Sequence, residues 1–268
     1  MNSFFEKLKK LKKLKSKTPI EESTKNIKKI IPESRSVDSY YSDRKTTSEK
    51  LDVNNFKNED NFSNPILHQN LFHITHIENL RGILEQGILS HELIKHNIPK
   101  RISNVDITEE IRKNKLVLDT GKPLTYFANF YFNPRNPMLF RILKQQKNID
   151  DNNTIVVEIL ENILKPNYIF TDGNAASRES KFFYTTDNPE QIQIKISKIE
   201  SIKYWSDSED HKREICGECL IPELVKPEKI LKIHVIDKNT LVKVNHILLD
   251  FTHLKNIQVN VNSRMFFD

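Results

Sequence analysis

Cys216-Gly217-Glu218-Cys219-Leu220-Ile221 sets one glutamate in a short apolar run, and how this stretch is read decides the fold. Its composition suits an extended strand. On a strand, Cys216, Glu218 and Leu220 face one way, and Ile215, Gly217, Cys219 and Ile221 face the other. A carboxylate at the centre of such a strand needs a partner or an opening. The stretch alone leaves two readings open: a solvated Glu on an edge strand, or a Glu where a cleft meets the sheet. The lead-in Asp210-His211-Lys212-Arg213-Glu214 is charged and reads as exposed. A second strand, Leu71-Phe72-His73-Ile74-Thr75, favours the cleft. It puts His73 and Thr75 on an outward polar face and Phe72 and Ile74 on an apolar inner one. The third component is Arg135, held between two prolines in Asn133-Pro134-Arg135-Asn136-Pro137. Asn136 is a good N-cap and Pro137 suits the first helical position, so Arg135 stands at a helix N-terminus, where anions bind.

Around these pieces, residues 124–132, 155–160, 168–170, 230–236 and 257–261 read as further strands. Helices are predicted over residues 76–86, 138–147 and 241–249. The first carries an apolar stripe of Ile77, Leu80, Ile83 and Leu84 and stops at Gly87. Gly82 inside it costs about 1 kcal/mol relative to alanine, which implies either close backbone approach or tight helix–sheet packing. Residues 91–122 are polar with little pattern and read as a lid or binding loop. Thr171-Asp172-Gly173-Asn174 is a turn, and residues 175–210 are mixed, with Trp205 near the end. Strands with varied connections and antiparallel pairs predict an α+β (mixed α/β) fold.

Charge is unevenly placed. The chain of 268 residues has a formal charge of +6, and residues 1–17 hold seven lysines and one glutamate. The remaining 35 basic and 35 acidic residues cancel, so the high pI describes a tail, and any nucleic-acid surface on the domain is a local patch. Phe4, Phe5, Leu8, Leu11 and Leu14 give that tail helical spacing, read here as a soluble basic segment rather than a membrane or nucleic-acid contact. Residues 16–65 are polar and low in complexity and are expected to be largely disordered. The expected division is therefore a 1–65 extension and a 66–268 folded domain.

Cys216 and Cys219 are the two cysteines. On a strand, three residues span about 10 Å, beyond the roughly 7 Å limit for a disulfide. A reducing, cytoplasmic setting fits, and no metal is expected, since two further zinc ligands are missing nearby. No signal peptide or spanning segment is legible, so no stable membrane association is expected. Glycine-rich phosphate loops, Walker motifs, EF-hands and G-x-S-x-G elbows are absent from the sequence.

Four ordered motifs carry a resemblance. His73-Ile74-Thr75-His76-Ile77-Glu78-Asn79-Leu80 followed by Gly87-Ile88-Leu89-Ser90, then Tyr131-Phe132-Asn133-Pro134-Arg135-Asn136-Pro137-Met138-Leu139, come first. Phe170-Thr171-Asp172-Gly173-Asn174-Ala175-Ala176 and Gly217-Glu218-Cys219-Leu220-Ile221 follow in order. Together they resemble the DarT family of DNA ADP-ribosyltransferase toxins over about residues 70–249. The family usually has a small residue such as Ala before the glutamate, and Gly217 is a variant of that. The resemblance implies an ADP-ribosyltransferase-like split antiparallel sheet with a cleft for NAD. It implies transfer of ADP-ribose to a base, typically thymine, in single-stranded DNA, and a macrodomain antitoxin that removes the mark. It further implies that His73 and Thr75 hold the nicotinamide ribose and amide, with Ile74 between them among the NAD-binding residues. Gly82 and Ser90 would line the same NAD pocket, with Arg135 and Glu218 as the catalytic pair. Arg135 as a literal base is difficult, because an arginine pKa lies above about 12; it suits stabilisation of the deprotonated base or the diphosphate.

For DNA, the segment leading into Glu218 offers Tyr204 and Trp205 for stacking and His211, Lys212 and Arg213 for phosphates. The bland alternative makes Trp205 core and the charges a solvated loop. Two other functions compete: an NAD-dependent enzyme acting on protein or water, and a non-catalytic nucleic-acid-binding module using Lys212-Arg213 and Lys100-Arg101. The last gives no reason for His73, Thr75 and Glu218 to converge.

Overall fold

The computed structural model describes residues 67–94, 111–117, 119–145, 153–205 and 208–267. The 1–65 extension and Lys100-Arg101 lie outside the described residues. The described chain opens with β1 (His68–His76), β2 (Ile88–Leu89), β3 (Leu116–Val117), β4 (Lys122–Pro123) and β5 (Phe127–Tyr131). It continues with β6 (Thr154–Asn162), β7 (Ile169–Thr171), β8 (Phe182–Tyr184) and β9 (Glu218–Pro222). Last come β10 (Leu224–Val225), β11 (Ile230–Val235) and β12 (Gln258–Val261). Helices are α1 (Leu80–Gln86), α2 (His91–Ile94), α3 (Pro137–Gln145), α4 (Pro189–Ser201), α5 (Glu209–Glu214) and α6 (Lys238–Leu248).

Eight strands form one sheet in the order β12-β11-β6-β1-β5-β9-β7-β8, antiparallel throughout except β11 with β12. The decisive feature is in its middle. β1 and β6 pair continuously from His68↔Asn162 to His76↔Thr154, but β1 and β5 share a single register pair, Phe72↔Tyr131. The sheet is thus divided into β12-β11-β6-β1 and β5-β9-β7-β8, the split antiparallel α+β architecture that the resemblance implied.

Both faces are covered, which is why β6 reads as a nearly unbroken apolar run. Ile155, Val157 and Ile159 pack with Leu80, Ile83 and Leu84 of α1 and Ile192, Ile196 and Ile199 of α4. Val156, on the other face, meets Leu139, Ile142 and Leu143 of α3. α4 falls in the stretch read as mixed. Its signals were present: Asn188 caps it by accepting from Glu190 N, Pro189 starts it, and three isoleucines line its buried side. Burial also corrects the reading of β1. Thr75 shares a face with Leu71, is buried, and accepts a hydrogen bond from Asn79 Nδ2 at 3.1 Å. Thr75 is therefore enclosed rather than outward, while His73 on the same face is half-buried. At Gly87 the backbone has φ +94°, and a Cβ would run into the Val225 carbonyl of β10, the strand that pairs with β2.

Candidate active site

Glu218 is the first residue of β9, opposite Tyr131 of β5 and so beside the division in the sheet. It is 0 % exposed, so the reading as a solvated edge glutamate is wrong. Its partner is Arg112, whose Nη1 donates to Oε1 at 3.3 Å and Nη2 to Oε2 at 3.0 Å. The Ala175 N–H donates to Oε1 at 2.8 Å. A carboxylate has about four lone-pair sites; these three bonds leave one, on Oε2, uncommitted among the described residues. Burial acts against the charge of Arg112, but the Glu218 carboxylate opposes it and holds the guanidinium above its ordinary value. Burial, reinforced by Glu218, pushes the Tyr131 phenol far up.

The backbone beneath the carboxylate is held as firmly. Glu218 N donates to Thr171 Oγ1 at 3.0 Å, and that hydroxyl donates to the Gly173 carbonyl at 2.6 Å. Gly217 fits because a Cβ would collide with Ile199 of α4 and lie 3.1 Å from the Thr171 carbonyl oxygen. The predicted turn at 171–174 becomes the loop that delivers Ala175. Arg213 stabilises it from one side: Nη1 donates to Asp172 Oδ1 at 2.8 Å, and its carbonyl accepts from Asn174 N at 3.0 Å. Lys115 holds the other side through the carbonyls of Ala175 and Ser177.

His73 bridges the split. Its Nδ1 lies 3.1 Å from the Asn129 carbonyl oxygen, which can only accept, so Nδ1 carries the proton and Nε2 a lone pair. Burial lowers the His73 pKa and keeps the ring neutral, against a smaller opposing effect of that bond. Phe72, Tyr131 and Glu218 are cross-strand neighbours and share a face, whereas His73 and Thr75 alternate to the other. The two sets thus flank the division from opposite sides. Ile74 is buried in the α3 core. Ser90 is buried, donates its N–H to the Glu223 carbonyl and accepts from Leu93 N at 3.4 Å. A Cβ at Gly82 would meet nothing within 4 Å, so tight packing is not the reason for that glycine.

Arg135 occupies the predicted place but has other company. Asn136 Oδ1 accepts from Met138 N and Leu139 N and caps α3. The Arg135 guanidinium lies 4.5 Å from the Phe267 ring centroid, and its buried Nε has no hydrogen-bond partner. No hydrogen bond or ion pair joins it to Glu218 among the described residues. Trp205 packs edge-on against Phe140 and Phe267 and is half-buried against the α3 core. Tyr204 is 78 % exposed, and His211 is exposed on α5. Lys212 pairs with Glu209 at 2.9 Å and Arg213 is committed to Asp172, so the predicted phosphate contacts are partly spoken for.

Arg112, Lys115 and Thr171 were not singled out from sequence. Arg112 and Lys115 sit in the patternless 91–122 stretch, where no periodicity marks them. The available signal was indirect: a glutamate in an apolar strand demands a cation. Both cysteines are free and buried, and burial pushes their thiols well up, away from reactive thiolate. Among the described residues, no group of three or more His, Cys, Asp or Glu could hold a metal ion, and no helix is long and apolar enough to cross a membrane.

A sheet divided at its centre, with a clamped glutamate beside the division, is what the resemblance to ADP-ribosyltransferases implied. A family model described as ssDNA thymidine ADP-ribosyltransferase, DarT, matches residues 72–267, and the chain belongs to that family. A DNA ADP-ribosyl transferase–DNA ADP-ribosyl glycohydrolase fusion protein of Thermosipho africanus (strain H17ap60334) is 39% identical over 171 residues. That similarity covers 62% of this chain and 42% of the longer fusion protein. A DNA ADP-ribosyl transferase of Thermus aquaticus is 27% identical over 205 residues, covering 74% of this chain and 88% of its own. The solved structure of Thermosipho africanus DarTG in complex with ADP-ribose superposes with a TM-score of 0.64 at 33% identity, over 74% of this chain and 51% of that one. Thermus sp. 2.9 DarT in complex with ADP-ribosylated ssDNA shares the fold, with a TM-score of 0.66 at 23% identity over 74% and 96% of the two chains.

Proposed function

We propose that the protein transfers ADP-ribose from NAD to a thymine base of single-stranded DNA, with Glu218 at the reacting ribose and Arg112 as its partner. The observation that carries this reading is the bidentate Arg112–Glu218 pair beside the split, with one carboxylate lone pair left for the proton of the incoming base. The bond between the ribose C1′ and the nicotinamide nitrogen breaks, and its electron pair leaves with neutral nicotinamide. Oxocarbenium character develops on the ribose, and a fixed carboxylate stabilises it. Thymine N3 loses a proton and bonds to C1′. An arginine pKa above about 12 prevents Arg112 from taking that proton, so Glu218 is the member of the pair that accepts it. Arg112 therefore takes the catalytic place that the resemblance implied for Arg135, and Arg135 braces the Phe267 cluster.

NAD is the donor, and it lies along the β1 side. His73 offers Nε2 to a ribose hydroxyl, Thr75, Gly82 and Ser90 border the same site, and Ile74 anchors β1 from its opposite face in the α3 core. Family membership, together with a relative that is fused to a DNA ADP-ribosyl glycohydrolase, supports a toxin restrained by a macrodomain partner. Residues 1–65 are an appendage to a catalytic 66–268 domain. A paired base must be flipped out at roughly a few kcal/mol, and a domain of balanced charge has no broad basic face to grip a duplex. Tyr204 and His211, both exposed, are the groups of the segment leading into Glu218 that are free to meet a strand. The test is labelled NAD offered with a thymine-containing single strand, its duplex, a thymine-free strand and a protein mixture. Label should enter the first alone. Equal labelling of the duplex, or preference for protein, overturns the acceptor assignment.

A further inference from the structure

We infer that Lys115 is a positioning residue for the transfer: its ammonium fixes the 174–177 loop so that the Ala175 N–H holds the Glu218 carboxylate against Arg112. This rests on the reading of Glu218 as the catalytic carboxylate. Ala175 is gripped at both ends. Its N–H donates to Glu218 Oε1 at 2.8 Å, while its carbonyl accepts from Lys115 Nζ at 2.7 Å. The same ammonium reaches the Ser177 carbonyl at 2.6 Å. Two carbonyls two residues apart, both turned toward one ammonium, are held together by a donor group that carries three protons and a positive charge. Without it the Ala175 and Ser177 carbonyls lose their shared donor, and the loop is left to the Asn174 carbonyl, which accepts from Ser177 N at 2.9 Å and Ser180 Oγ at 2.7 Å, and to Asn174 Oδ1, which accepts from Ala176 N at 2.9 Å.

Lys115 lies three residues after Arg112, the other group that holds Glu218. The turn between them is hydrogen-bonded, with Asn114 N and Lys115 N both donating to the Ile111 carbonyl at 3.2 and 2.9 Å. The Lys115 carbonyl accepts from Leu124 N at 3.0 Å, and β3 pairs with β4 immediately afterwards. One rigid turn thus carries two cations, one for the carboxylate and one for the carboxylate's backbone donor. Arg213 anchors the far side of the same loop through Asn174 N. The carboxylate is in this way held from two directions by groups whose spacing the 111–117 segment sets. A misplacement of about 1 Å at a reacting group costs on the order of a hundredfold in rate, which is the scale of effect expected here.

The experiment compares Lys115→Met, Lys115→Gln, Lys115→Arg, Glu218→Gln and the Lys115→Met/Glu218→Gln double variant in the full chain. Single-turnover transfer is read at saturating NAD and single-stranded DNA, together with KM for NAD and thermal unfolding. Lys115→Met should lower the transfer rate roughly ten- to a hundredfold with KM for NAD within about threefold. Lys115→Gln, which keeps N–H donors but is shorter and uncharged, should fall between, and Lys115→Arg should recover most of the rate. In the Glu218→Gln background, removing Lys115 should cost no more than about twofold further, because the group it positions is already gone. A KM rise without a rate loss would make Lys115 a direct NAD contact and overturn the inference. So would losses that multiply in the double variant, or an unchanged rate in both Lys115→Met and Lys115→Gln. Glu218→Gln transferring at the wild-type rate would instead refute the reading of Glu218, whatever Lys115 does.

Discussion

Arg112→Met is the perturbation that separates the site seen in the structure from the site suggested by sequence. The substitution removes both N–H···O bonds to a carboxylate that is 0 % exposed and leaves it the Ala175 N–H alone. Breaking a buried ion pair from one side costs about 3–5 kcal/mol, because the surviving charge stays desolvated. For a domain of this size each kcal/mol moves Tm by roughly 2–4 °C, so calorimetry should show a fall on the order of 6–20 °C. The compensated variant Arg112→Met/Glu218→Gln leaves no buried charge and keeps an acceptor for Ala175 N–H, so it should regain most of that loss while staying inactive. Transfer by Arg112→Met, measured in single turnover, should drop by at least about a hundredfold. Arg135→Gln is the control. It forfeits a cation–π contact worth about 0.5–2 kcal/mol and should keep the transfer rate within about tenfold. Wild-type Tm and rate in Arg112→Met, or an Arg135→Gln rate loss as deep as that of Arg112→Met, would refute the assignment.

Deleting residues 1–65 removes the surplus positive charge and none of the site residues, so the chemical step should survive. DNA binding should weaken, most at low salt; an unfolded or chemically inert 66–268 fragment would count against the domain division. Acid should destabilise the fold in two stages. Burial holds the His73 pKa below 6.5, so the unfolded chain takes up that proton first and stability falls as pH drops below 6.5. The hydrogen bond from His234 holds the Glu158 carboxyl below 4.5 despite burial, so its contribution is complete above 4.5 and fades below it. Urea midpoints followed from about pH 7 to about pH 3 should show the upper stage lost in His73→Gln and the lower stage lost in Glu158→Gln. Curves parallel to wild type would contradict both.

Much of the sheet was legible because strand periodicity and capping are local. β1, β6, β9 and β11 follow from alternating or continuous apolar runs, and α3 from Asn136 and Pro137, with its cap formed as predicted. The helix α4 was legible in principle, from Asn188-Pro189 and the spacing of Ile192, Ile196 and Ile199, but Gln and Lys between the isoleucines blurred it. Glu218 stood out because a carboxylate in an apolar strand is costly alone, and that cost is a property of the sequence itself. Which cation relieves it is not. Arg112 and Arg135 are the same residue type, and Arg135 had the better local credentials, between prolines at a helix start. Only the tertiary structure turned Arg112 onto both carboxylate oxygens and Arg135 onto Phe267. The same holds for Trp205 and Arg213, where core packing and the Asp172 pair claimed side chains that read as free for DNA. Local rules fix where a charge must be answered. The partner lies 106 positions away along the chain, a separation that only the closing of the sheet brings within hydrogen-bond reach.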